Sequence, residues 1–271
     1  DPQEQYWSAF RLASDELDRF AESAGQFVSP LVAKLEKPAS RITLSKRVLE
    51  PVVEKLPKLP LAGKETHLRR YNIAFVLLDK GEVLRLSVRG LVVSQQAADG
   101  QVTVIDPDGR EVLSRTVPLG QTDEVELTAE VAGTHQITTS FGQNACEQRV
   151  SNARVVFFAG RHQRLKVHRV VRPLFFVVAE GQNPQVDVLT ESPSDSVRVR
   201  LRDPRGAVVA DEVVSGSQSV SAKGLAGVWS ITLEPPAGRA FGGVQLGLAP
   251  PLSPYLADAP ERLLRDKAIG R

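Results

Sequence analysis

The stretch Asp106-Pro107-Asp108-Gly109-Arg110-Glu111-Val112 returns further along the chain as Asp203-Pro204-Arg205-Gly206-Ala207-Val208-Val209. Asp-Pro-x-Gly is turn chemistry: proline fixes φ at the first central position and glycine accepts the left-handed conformation that closes a hairpin. Two further stretches repeat in the same order. Val131-Ala132-Gly133-Thr134-His135-Gln136-Ile137-Thr138 is echoed by Leu225-Ala226-Gly227-Val228-Trp229-Ser230-Ile231-Thr232, and Phe75-Val76 by Phe176-Val177. One match is coincidence; three in order predict two copies of one unit.

Around these anchors the apolar period is two. Val83, Leu84, Leu86 and Val88, then Val102, Val104 and Ile105, then Val125, Leu127, Ile137 and the run Val155 to Phe158 mark short strands. Asp79-Lys80-Gly81, Ala98-Asp99-Gly100 and Ala132-Gly133 separate them. Many short strands at even spacing predict a mainly β chain of two tandem antiparallel β-sandwich domains, Ig-like or jelly-roll-like. The expected boundaries are 66–162 for the first copy and 163–250 for the second.

The flanks read differently. Tyr6, Phe10, Ala13, Leu17, Phe20 and Ala24 recur at spacings of three and four, which predicts a helix over 3–24. Phe27, Leu31 and Leu35 suggest a second short helix, so 1–37 is expected to be a helical segment. Pro38, Pro51, Pro57 and Pro60 make 38–65 a Pro-rich linker. At the other end, Asp258, Pro260 and Glu261 have the spacing of a capping box, so 251–271 is expected to be an extended tail and a short C-terminal helix through Leu263 and Leu264.

The sequence of signals Phe75-x-Leu77, Lys80-Gly81-Glu82, an apolar strand, Asp106-Pro107-Asp108-Gly109 and Ala132-Gly133-Thr134-x-x-Ile137 resembles the bacterial pre-peptidase C-terminal domain family. The resemblance covers roughly 70–160 and, more loosely, 170–250. It implies a small β-sandwich module appended to a secreted hydrolase, binding calcium, polysaccharide or fibrous protein surfaces, or holding a catalytic domain. No acidic cluster stands at matching positions, so calcium is not expected.

Composition narrows the function classes. A 42% hydrophobic content supports real cores, and a net charge of +2, from 34 basic and 32 acidic residues, argues against a nucleic-acid partner. No apolar run approaches the roughly 18 residues of a membrane helix. The lone Cys146 reads as packing, not as a nucleophile. Methionine is absent even from position 1, which predicts a trimmed or processed chain, consistent with a secreted, periplasmic or cell-surface location. Gly-x-Ser-x-Gly, His-Glu-x-x-His and a phosphate-cradling Gly-rich loop are all missing, so no catalytic residue and no cofactor is expected.

His162 and His168 are six apart and would share a face of a strand, but without supporting ligands they are not read as a metal site. His135 fills the slot of Trp229, which points to packing for both. Trp229 is therefore not a sugar-stacking platform. The densest basic patch runs from Arg161 to Arg172. As a strand it would turn Leu165 and Val167 inward and Arg164, Lys166 and His168 outward. Arg161, His162, Arg164, Lys166, His168 and Arg169 are the expected binding residues, with an anionic polysaccharide or another protein chain as partner. The sequence thus favours a non-catalytic accessory, binding or scaffold module. Its alternatives are a glycan-active hydrolase with a cleft between the sandwiches, or a structural subunit of a larger assembly.

Overall fold

The computed structural model describes residues 48–52, 65–95, 98–168, 172–192, 194–236 and 242–267. The helices expected within 1–37 and most of the expected linker lie outside the described residues. Within 38–65, Leu49–Pro51 forms strand β1. The first half then runs β2 (Thr66–Leu78), β3 (Val83–Leu91), β4 (Gly100–Ile105), β5 (Glu111–Val117), β6 (Thr122–Thr128), β7 (Gly133–Val150) and β8 (Val155–Phe158). The second runs β9 (Leu165–His168), β10 (Leu174–Val178), β11 (Gln185–Thr190), β12 (Ser196–Arg202), β13 (Val208–Ser215), β14 (Ser217–Ser221), β15 (Gly227–Glu234) and β16 (Gly243–Leu248). The tail adds β17 (Tyr255–Leu256) and β18 (Leu264–Asp266). All the named pairings are antiparallel, and among the described residues there is no α-helix.

Pairing follows one plan in both halves. β2, β7, β4 and β5 lie side by side, as do β10, β15, β12 and β13. The early part of β2 and the later part of β7 join β3 and β6, just as β9 and β16 join β11 and β14. The long strands β2 and β7 therefore do the work that two separate strands each do in the second half.

The turns agree in atomic detail. The Oδ1 atoms of Asp106 and Asp203 accept the amides four residues on, of Arg110 at 2.8 Å and Ala207 at 2.9 Å. Their carbonyls accept from Gly109 at 3.0 Å and Gly206 at 2.9 Å. A register shift follows in each, between Val104 and Ile105 and between Leu201 and Arg202. A further match joins Asp79–Glu82 to Ala179–Gln182. There the Glu82 carboxylate takes the Asp79 amide at 2.9 Å, and the Gln182 amide oxygen takes that of Ala179 at 3.1 Å. Only the glycine is shared between these two turns, so sequence did not reveal the pair.

One expected anchor is displaced. Val76 pairs with His135 and Phe176 pairs with Trp229, so Phe176 corresponds to Val76 and not to Phe75. A one-residue slip exchanges faces, and Phe176 is the residue that enters the core.

Side chains from both halves fill one contiguous core, with Leu84, Leu86, Val102, Val104 and Ile137 on one side and Val186, Val188, Val199, Leu201 and Ile231 on the other. His135 and Trp229 are both inside, as their shared slot predicted.

The tail stitches the halves together. Ala257 exchanges both backbone hydrogen bonds with Phe175, at 2.8 and 2.9 Å. Tyr255 meets Phe75 and Phe158 edge-on at 6.0 and 6.2 Å between centroids. The expected helix is replaced by a single 3-10 turn at Pro260–Arg262 and then by β18, which pairs with β1. The N-cap of this turn is Ala259, not Asp258. Both oxygens of Asp258 bind Nη1 of the buried Arg262, at 2.8 and 2.7 Å, while Nη2 donates to the carbonyls of Val150 and Asn152. Removing one partner of such a pair strands the other in the interior, at a cost of about 3–5 kcal/mol.

Gly133 and Gly227 supply the sharpest check on the correspondence. Both have φ of 137°, and an added Cβ would lie 3.0 Å from Pro107 Cγ in one and 2.8 Å from Pro204 Cγ in the other. Alanine at either position is expected to cost about 1–3 kcal/mol in urea unfolding. A loss at one site with none at the other would break the equivalence.

Candidate functional site

β2 loses its alternation between Arg69 and Tyr71, where the register with β7 shifts. Arg70, at the irregularity, has φ of 61°, a left-handed conformation that costs a side-chain-bearing residue about 1–2 kcal/mol. The bulge throws Arg69 and Arg70 to the place where the two halves meet. That meeting is a pairing of edge strands: Leu68 of β2 lies against Val167 of β9.

Asn72 holds the junction from inside. Its Nδ2 donates to the Arg69 carbonyl at 2.8 Å, and its Oδ1 accepts the Lys166 amide at 2.8 Å. One buried amide thus clamps the bulge and carries a hydrogen bond to the other half.

Glu191, just past β11, completes the cluster. Its side chain is 7% exposed and pairs with Nη1 of Arg69, while Nε of Arg70 lies 3.4 Å from Oε1. Gly243 runs alongside, and a Cβ there would collide with the Glu191 carboxylate. Lys166 is half-buried, and burial pushes its ammonium pKa down. The Arg70 charge lowers it further and Glu191 partly offsets this. Arg69 and Arg70 thus share one carboxylate, and Lys166 lies near enough to feel both Arg70 and Glu191. The network on β12, β13 and β15 is balanced by contrast: Arg198 and Arg200 bind Asp211, Arg200 also binds Glu234, and the guanidiniums hold Asp211 down to about 2.

The expected binding residues divide. Lys166 belongs to the junction. Arg164 is half-buried, and a Cβ at Gly247 would lie 3.3 Å from its Cγ. Arg161 and His162 are exposed in the bend before β9. His168 was expected to face out but is buried, because it ends β9 opposite Gly243. His162 and His168 therefore do not share a surface. Arg169 lies outside the described residues. Arg69, Arg70 and Glu191 were missed. The signal available for the first two was the doubled arginine interrupting the alternation of β2; Glu191 gave none.

Other chemistry is muted. Burial pushes the Cys146 thiol up to about 12, which keeps it protonated. Burial pushes the His135 pKa down, and its Nδ1 lies 3.1 Å from the Gly133 carbonyl. A shallow groove between Val177, Ala179, Pro251 and Pro254 has no aromatic ring in its lining. No described helix is long and apolar enough to cross a membrane.

No family model and no curated protein matches the chain. Among solved structures, a β-glucuronidase from Ruminococcus gnavus, in complex with N1-substituted uronic isofagomine, is 11% identical with a TM-score of 0.23, covering 64% of this chain and 35% of that one. The N-terminal CBM22-1-CBM22-2 tandem domain of a Paenibacillus barcinonensis protein is 9% identical with a TM-score of 0.22, covering 82% of this chain and 91% of that one. The chain thus spans about a third of the glucuronidase.

Lys166 gives the site its own test. A lysine whose folded pKa lies below its unfolded value opposes folding while it is protonated, and the opposition fades only as pH rises through the folded pKa. Lys166→Met is therefore expected to leave Tm unchanged or to raise it at neutral pH. A drop of several degrees would make Lys166 a structural ion-pair partner instead.

Proposed function

We propose that this chain is a non-catalytic binding module of two tandem β-sandwich units, and that the junction between them recognises an acidic polysaccharide. The observation that carries the reading is the surplus of cations at Arg69, Arg70 and Lys166 over the single carboxylate of Glu191. Holding a lysine half-buried beside an arginine, on a backbone bulge with a strained residue, opposes folding. An anion at the junction would relieve that cost, and repeated carboxylate or sulfate groups would offer one at each sugar. Arginine forks suit such groups through paired hydrogen bonds. Arg161 and Arg164 extend the same charge along the approach to β9, with His162 exposed between them.

The repeated pairing plan and matched turns support the sandwich reading, and the resemblance of 70–160 to pre-peptidase C-terminal domains belongs to the same proposal. On this reading the module serves a secreted or cell-surface system. The hydrolase alternative would need carboxylates and the histidines His67, His135, His162 and His168 in one cleft, but His135 and His168 are buried in separate strands, His162 is on the surface before β9 and His67 is on β2.

Affinity electrophoresis and calorimetry against polygalacturonate and heparin, with dextran as the neutral control, test the proposal. Arg70→Gln combined with Lys166→Gln is expected to weaken polyanion binding at least about tenfold, with a shallower salt dependence. Binding that is equal for dextran, or unchanged in the double variant, would overturn it.

A further inference from the structure

On the outer face of the same sheet, His67 and Glu147 stand directly opposite each other on β2 and β7. Glu65 lies two residues before His67, on the same side of the strand line. One donor atom from each of the three falls within 4.8 Å of the others. The backbone positions of His67 and Glu147 are set by the register of β2 on β7 from Thr66 to Arg69, ahead of the bulge.

The spacing is informative. His67 Nε2 and Glu147 Oε1 are 3.4 Å apart. That is beyond a good N–H···O hydrogen bond, which lies near 2.7–3.2 Å. It matches the edge of a tetrahedral zinc site, where bonds of about 2.0–2.1 Å put neighbouring donors about 3.3 Å apart. The other carboxylate oxygen, Oε2, is 3.5 Å from Nη1 of Arg89, which leaves Oε1 turned toward the histidine. His67 and Glu147 are partly exposed and Glu65 is exposed, so an ion has access and can keep water in its remaining position.

We propose that Glu65, His67 and Glu147 bind a divalent cation of the zinc class. One imidazole with two carboxylates suits a borderline ion better than calcium or magnesium, which take oxygen-only shells. The site belongs to the first half alone. Lys166 faces Gln245 on β9 and β16, in the register that His67 and Glu147 occupy on β2 and β7, and a protonated lysine cannot ligate. The proposal is independent of the polysaccharide reading. Arg89 opposes the incoming charge, so its removal should tighten binding.

Calorimetric titration of the chelator-treated chain with Zn²⁺, together with visible spectra of the Co²⁺ form, reads the site directly. The expected result is a single ion per chain, with affinity reduced at least about tenfold in His67→Ala and in Glu147→Gln and increased in Arg89→Gln. These positions face outward, and far-ultraviolet circular dichroism checks that each variant stays folded. Absence of zinc uptake by the parent chain would overturn the proposal. So would uptake that persists unchanged in the His67→Ala, Glu147→Gln double variant.

Discussion

The meeting of Leu68 with Val167 governs much of what the molecule can do. The two residues are counterparts: Leu68 pairs with Cys146 four positions before Val150, and Val167 pairs with Val244 four positions before Leu248, while Val150 and Leu248 face Leu86 and Val186. Each half therefore offers the same edge strand to the other, running antiparallel. An exposed strand edge is a liability because its amides and carbonyls invite pairing with foreign chains. Here the two liabilities cover each other. The contact is short, and it is completed by the Asn72 side chain and by a tail that bonds to Phe175 on one side and buries Arg262 on the other.

This arrangement explains where the cations gather. An edge strand that must turn from one neighbour to another needs a bulge, and the bulge in β2 carries Arg69 and Arg70. Its counterpart in the second half passes out of the described residues after His168, so only β2 shows the turn in full. The correspondence is one of scaffold and not of surface. His67 and Glu147 become Lys166 and Gln245, which alters the charge and the ligating capacity of the same place in the pleat.

Much of the scaffold was legible because turn chemistry is local. Asp106 and Asp203 act through bonds that reach only four residues, so the residues that make each turn sit together in the sequence. The displaced Phe75 anchor shows the limit: register is decided by the partner strand, and Phe175-Phe176 offered two ways to match one phenylalanine. The tail exposes another limit. Asp258 and Glu261 had the spacing of a helix start, but a buried arginine claimed the aspartate and β1 offered a strand partner. Of the junction, Lys166 and Arg164 stood out through the density of basic residues around β9. Glu191 stayed hidden because its partners, Arg69 and Arg70, are more than a hundred residues away in the chain and meet it only once the halves are paired.

Residue-resolved amide hydrogen exchange at Lys166 tests the pairing of the halves most directly, since that amide donates to Asn72 across the junction. A closed junction predicts that it exchanges about as slowly as the amides of the central strands, through global unfolding. Exchange as fast as that of the exposed bend at Arg161 and His162 would mean that the halves are not joined in this way.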